Sequence, residues 1–135
     1  MLYGSDLLLI RSQKGQATVE LAITLTILVF LIFIIIDFGR IFHAYLTLEH
    51  AGREGARVAS VGGTDTDVIQ RVKESAPSLN TNQITISQIP SKVGRTRGTY
   101  VTIDLAYPIT LSVPLLKTVL PDPVVLNAKT VMRVE

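Results

Sequence analysis

The 135-residue chain has no cysteine, so no disulfide braces it and cysteine usage gives no clue to its redox compartment. Charge of one sign is scarce as well. Thirteen Lys and Arg against eleven Asp and Glu leave a formal net charge of +2, too small a surplus to draw the chain to nucleic acid by bulk electrostatics. Internal repeats and low-complexity tracts are missing. So are nucleophile motifs and phosphate-binding glycine loops, since Gly62-Gly63 lacks the lysine and the spacing of a P-loop. His43 and His50 lie two turns apart, and His50 with Glu54 has an i, i+4 spacing. A zinc site needs three or four ligands, however, and the others are not evident, which leaves a solvated helix face. Asp104 has no acid or base partner near it in sequence. No catalytic residue, metal or cofactor is therefore expected.

What the chain does have is one long apolar run. Residues 17–36 carry a single charge, Glu20, with Thr18, Thr24 and Thr26 as the other polar side chains. About 20 apolar residues cover the roughly 30 Å of a bilayer core. A secretory signal peptide would show an Ala-x-Ala pattern past that run. Here Asp37-Phe38-Gly39-Arg40-Ile41-Phe42 follows instead, which predicts a retained anchor. A carboxylate one turn inside such a helix costs about 2.5–3.5 kcal/mol on insertion scales. Alone, Glu20 reads as a snorkelling residue or a helix-start acid favoured by the macrodipole. Positive charge does not settle orientation, because Arg11 and Lys14 precede the run while Arg40, Arg53 and Arg57 follow it. The short basic leader favours an N-terminus on the cytoplasmic side.

The helical pattern continues past Ile36. Ile41, Tyr45, Leu48 and Gly52 recur at helical spacing, with Phe38, Phe42 and Leu46 nearby. One helix from about Gln16 to about Ser60 would be roughly 68 Å long, with Gly39 as a point of bending. Gly62-Gly63 is the expected stop. Asp37 and Arg40 are spaced for an interfacial ion pair worth little energy. Ala51, Gly52, Gly55, Ala56 and Ala59 form overlapping small-xxx-small spacings. These suit either another subunit's backbone or the chain's own folded domain, and both readings stay open.

Thr64-Asp65-Thr66-Asp67 supplies N-cap candidates for a short helix carrying Val68, Ile69 and Val72 and ended by Pro77. Ile84 and Ile86 alternate with polar residues, as do Val101, Ile103, Leu105 and Tyr107, which predicts two half-buried strands. Residues 90–98 read as an open hairpin loop whose Lys92, Arg95 and Arg97 form a solvated basic tip. Pro108, Pro114, Pro121 and Pro123 punctuate a non-regular connection. A last strand is expected over residues 126–134, with Leu126, Ala128, Thr130, Met132 and Val134 on one face. The resulting class is α+β, a long helix with a small antiparallel sheet packed on its outer half.

Four segments carry a family resemblance: Gly15-Gln16-Ala17-Thr18-Val19-Glu20, Asp37-Phe38-Gly39-Arg40, Arg53-Glu54-Gly55-Ala56-Arg57 and the closing Met132-Arg133-Val134-Glu135. Together they resemble the TadE-like proteins, pseudopilins of the tight-adherence (Tad) pilus system. The resemblance implies a type IV pilin-like fold and cleavage by a prepilin peptidase between Gly15 and Gln16. It divides the chain into a leader (1–15), a transmembrane segment (16–36), an extramembrane helix extension (37–61) and a small exported α+β domain (62–135). It also implies that Glu20, fifth in the mature chain, pairs with the N-terminal amine of a neighbouring subunit, so that an incoming chain neutralises a charge costly on its own. Asp37, Gly39 and Arg40 become a membrane-exit motif, and Gly52, Gly55, Ala56 and Ala59 a helix-packing stripe. The expected partners are the membrane, a prepilin peptidase, other pilin subunits and the pilus assembly machinery. Two rivals remain: an uncleaved bitopic scaffold of an envelope complex, and a tethered adhesion or ligand-binding module that uses the sheet and the basic loop.

Overall fold

The computed structural model describes residues 5–114 and 116–135, and the first four residues of the expected leader lie outside them. The chain forms two compact units, Met1–Ile36 and Asp37–Glu135. In the first, helix α1 (Ser5–Ser60) carries apolar side chains all round. Leu21, Ile27, Phe33 and Ile35 are each more than half exposed, and no residue of the most apolar 18-residue stretch is buried. A helix in water keeps one polar face; a helix apolar on every side is matched to lipid. Length and composition allow this one to cross a membrane. Thr24 and Thr26 donate their hydroxyls to the carbonyls of Glu20 and Ala22, each at 2.8 Å, so neither needs water inside the run.

In the second unit, α1 from Asp37 onward packs on a three-stranded antiparallel sheet of order β1-β2-β3. The strands are β1 (Thr85–Ile89), β2 (Tyr100–Ile109) and β3 (Val124–Arg133). Alternation picks the inner face: Val101, Ile103 and Leu105 of β2 and Leu126 and Ala128 of β3 are buried, whereas the residues between them are not. They share one core with Ala44, Leu48, Ala51, Ala56 and Ala59 of α1 and with Val68 and Val72 of α2 (Asp65–Glu74). The arrangement is the expected α+β one, a long apolar N-terminal helix followed by a small antiparallel sheet.

The end of α1 has a definite chemistry. The Gly62 N–H donates to the Ala59 carbonyl at 3.3 Å and the Gly63 N–H to Val58 at 2.9 Å, the paired bonds of a Schellman motif, with Gly62 at φ +90° in the left-handed region. Thr64 then opens α2 with a capping box: its hydroxyl accepts from Asp67 N–H, and the Asp67 carboxylate accepts from Thr64 N–H. The Glu135 N–H returns to the Ser60 carbonyl at 3.0 Å, so the end of the last strand also closes the helix.

Of the helical pattern Ile41, Tyr45, Leu48 and Gly52, Tyr45 is exposed, as are Phe38, Phe42 and Leu46, while Ala44 is buried. Two expectations are corrected here. The segment read as non-regular from Pro108 is strand as far as Ile109, and it later forms a one-turn helix, α3 (Leu116–Val119). Proline fits in β2 because β1 begins only at Thr85, opposite Ala106. At Pro108, β2 pairs only with β3, through Val125, and a missing N–H is tolerated at an edge. Finally, the Lys92–Arg97 loop is not a free basic tip, for reasons set by Arg95 below.

Candidate functional site

Within the first unit, Gly15, Gln16 and Glu20 lie on consecutive turns of α1, all exposed. A Cβ at Gly15 would meet nothing within 4 Å. Gln16 and Glu20, four apart, border one shallow hollow with Val19, Ile23 and Thr24. Thr24 bonds to the Glu20 backbone carbonyl and leaves the side chain alone. Among the described residues, none forms an ion pair or side-chain hydrogen bond with the Glu20 carboxylate. The charge is thus presented outward from an apolar helix, a costly placement in lipid unless another molecule supplies the counter-charge.

The second unit holds a constellation that the sequence only half discloses. Asp37 is 2% exposed. Its Oδ2 accepts the backbone N–H groups of Ser112 at 2.8 Å and Val113 at 3.1 Å. Its Oδ1 accepts Arg40 Nη1 at 3.0 Å, and the same Nη1 donates to Ser112 Oγ at 2.6 Å. Burial opposes ionisation of this carboxyl, but the N–H groups of Val113 and Ser112, the Ser112 hydroxyl and Arg40 together outweigh it and hold the pKa below the ordinary aspartate value. The i, i+3 spacing indicated the ion pair with Arg40. It gave no sign that Asp37 fastens the β2–β3 connection to the start of the second unit's helix. One signal was present: Asp37 sits four residues before Ile41 and seven before Ala44, on the same stripe as the core side chains. Gly39, between the two charged residues, is exposed with open space around it.

The small-residue stripe is occupied within the chain. Gly52, Gly55, Ala56 and Ala59 are all buried. A Cβ on Gly52 would come within 3.0 Å of Thr130 Oγ1, and one on Gly55 within 2.5 Å of Val72 Cγ2. Glycine at these positions lets β3 and α2 approach the helix backbone.

Arg95 ties the far end together. Its side chain is 1% exposed; Nε donates to the Pro90 carbonyl, Nη1 to the Gly63 carbonyl, and Nη2 to Asp65 Oδ1 and Gln88 Oε1, both at 2.6 Å. Lys92 Nζ donates to the Gly62 carbonyl. Two of the three cations in the supposed basic tip are therefore spent on the chain's own backbone and carboxylate, a planar fork being well suited to several acceptors at once.

The apolar helix with Glu20 near its start and the Asp37–Arg40 pair just beyond it lie on one stretch of chain. Residues 15–57 match the TadE family, described as TadE-like protein. This is the family that the residues resemble, and the match begins at Gly15 and takes in both Glu20 and the Asp37-Phe38-Gly39-Arg40 segment. It covers about a third of the chain, so the α2 and sheet region, with the closing Met132 to Glu135 segment, lies outside it. No curated protein and no solved structure matches the chain. The matched segment contains the apolar helix that is long and apolar enough to cross a membrane.

Proposed function

We propose that this chain is a membrane-anchored pseudopilin or minor pilin, processed by a prepilin peptidase after Gly15, that helps initiate or assemble a tight-adherence pilus or related secretion machine. The observation that carries the reading is Glu20: an outward-facing carboxylate without a partner among the described residues, inside an apolar helix, in a TadE-like segment that begins at Gly15. After the cut, Gln16 supplies a new amine one turn away from that carboxylate, and the amine of an incoming subunit provides the missing counter-charge. Asp37, Gly39 and Arg40 mark where the chain leaves the cytoplasmic membrane, with the sheet domain on the exported side.

A second reading, the uncleaved bitopic scaffold, draws on a different observation. α1 is helical through Gly15, so a peptidase must open the helix to reach the bond. The tethered adhesion module loses support because Arg95 and Lys92 are used internally. Co-expression with a prepilin peptidase followed by intact-mass measurement separates the first two. The pseudopilin reading expects a chain starting at Gln16, and a chain that stays full length overturns it in favour of the scaffold.

A further inference from the structure

Val134 sets the phase of β3. Its N–H donates to the Thr99 carbonyl and its carbonyl accepts the Gly98 N–H, both at 2.8 Å. With Gly98 at φ +90°, these bonds make a G1 bulge just before β2. Along an antiparallel strand, residues whose backbone groups bond to the neighbour alternate with residues whose groups point away. Counting back from Val134, Met132, Thr130, Ala128 and Leu126 turn their N–H and C=O toward β2, and Val131, Lys129, Asn127 and Val125 turn theirs outward. β3 is the last strand in the order β1-β2-β3, and among the described residues no hydrogen bond reaches those outward groups. We propose that this edge is a pairing surface for a second copy of the chain, with β3 adding antiparallel to β3 about a two-fold axis at Ala128. Such pairing involves the second unit alone and does not depend on the pilus reading.

The two edges of the sheet are not alike. β1 is five residues long and is followed at once by Pro90. The Gln88 side chain on it is held by the Asp65 carbonyl and by Arg95, so β1 offers a short and congested ladder. β3 runs for ten residues with no proline among them. A long edge with free donors and acceptors is a template for another strand unless charge, proline or shortness blunts it. Between Val125 and Val131 the one charged residue is Lys129, and Asp104 stands directly opposite it on β2, an acid beside the base on the same face of the sheet. With one edge open and the same patch used by both copies, pairing closes at two and does not run on as a fibre.

Phase and charge select one register. Outward groups must meet outward groups, so an odd-numbered residue of one copy stands opposite an odd-numbered residue of the other. Two such alignments pair all but one residue of each strand. The first is centred on Lys129 and sets that ammonium against its own copy, and like charges directly opposite are destabilising. The second is centred on Ala128. It sets Val125 opposite the second copy's Val131 and Asn127 opposite its Lys129, which gives an apolar pair toward each end of the shared ladder and an amide facing an ammonium near its middle. Val125 and Val131 are 54% and 52% exposed in the single chain, and this pairing brings them against each other. A second copy is thus the occupant that the edge itself complements.

The chain has no cysteine, so introduced thiols report the register. Full-length chains in detergent micelles, each with one substitution and its own tag, are mixed in pairs and oxidised with copper phenanthroline. Opposed residues in the bonded pairs of a ladder have Cα atoms about 5.5 Å apart, within disulfide reach, whereas diagonal neighbours at about 7–8 Å lie outside it. The expected result is a mixed disulfide between Val125→Cys and Val131→Cys chains. Val125→Cys with Arg133→Cys, opposed only in the Lys129-centred alignment, should give little, and Val93→Cys chains, substituted at a site 95% exposed, set the level of random collision. Adding Asn127→Lys to the first pair sets ammonium against ammonium twice and should lower the yield by roughly two- to thirtyfold, whereas Asn127→Asp should raise it. A yield no higher than that between Val93→Cys chains overturns the proposal and leaves the edge to a strand from another protein. Preference for the Arg133→Cys pair, or equal yields with Asn127→Lys and Asn127→Asp, also overturns it.

Discussion

Asp37 Oδ2 accepts the Val113 N–H at 3.1 Å across 76 positions of sequence. The contact joins the first residue of the folded unit to the connection that precedes its last strand. A carboxylate buried at that point is held ionised by backbone amides and one guanidinium, and it makes the unit's first turn of helix part of the sheet's structure.

Asp37→Ala orphans two backbone donors, each worth about 1–3 kcal/mol when left unsatisfied. The variant is expected to lose about 2–4 kcal/mol of stability in urea unfolding of the full chain in detergent. Asp37→Asn, which keeps one acceptor oxygen, is expected to lose less. Hydrogen exchange should quicken first at the Ser112 and Val113 amides.

Acid should weaken the folded unit through the same group. The folded pKa of Asp37 is lowered, so its contribution is fully present above the unfolded value of about 3.9 and disappears as pH falls through the folded value. Glu54, held down first by its hydrogen bond from Arg71, and Asp67, held down by the Thr64 side chain and backbone, add in the same direction. Unfolding midpoints measured downward from about pH 5 should fall, and Asp37→Asn should flatten that slope.

Gly55→Ala places a methyl 2.5 Å from Val72 Cγ2. Overpacking of about 1–3 kcal/mol is expected to outweigh the roughly 1 kcal/mol gain in helix propensity. Combined with Val72→Ala, the loss should be smaller than the sum of the two single changes, as a double-mutant cycle would show. Gly39→Ala, in open space, should instead stabilise by up to about 1 kcal/mol.

Arg95→Ala should destabilise by at least about 2 kcal/mol, because a charged donor to several acceptors is lost. Arg97→Ala, at an exposed position, should stay within about 0.5 kcal/mol. Equal effects of the two substitutions in thermal unfolding would contradict the assignment of Arg95 as an internal clamp.

Glu20→Leu is expected to insert normally, since it removes a charge from an apolar helix, yet to abolish filament assembly, scored by sheared-pilus yield in a strain carrying the complete pilus system. Retained assembly with the variant would sink the counter-charge mechanism.

Much of this was legible in local pattern. The helix stop at Gly62-Gly63, the cap at Thr64 and the alternation of Val101, Ile103 and Leu105 are written in residue types whose backbone preferences act within a few positions. Asp37 and Arg95 were not, because the Ser112 and Val113 N–H groups on Asp37 and the Gly63 carbonyl and Asp65 carboxylate on Arg95 lie far away in sequence, and a backbone N–H or carbonyl carries no sequence mark. Residue size was no guide either: Phe38 and Phe42 are exposed, and the small Ala44 faces the core. Pro108 hid the end of β2, since only the length of β1 determines whether the missing N–H matters.

Two ties join α1 from Asp37 onward to the rest of its unit, one at Asp37 and one where Ser60 accepts the Glu135 N–H. They sit at opposite ends of that helical stretch. Tension applied along that stretch is therefore carried by both ties and by the core between them as one shear joint, which yields in a single step and not strand by strand.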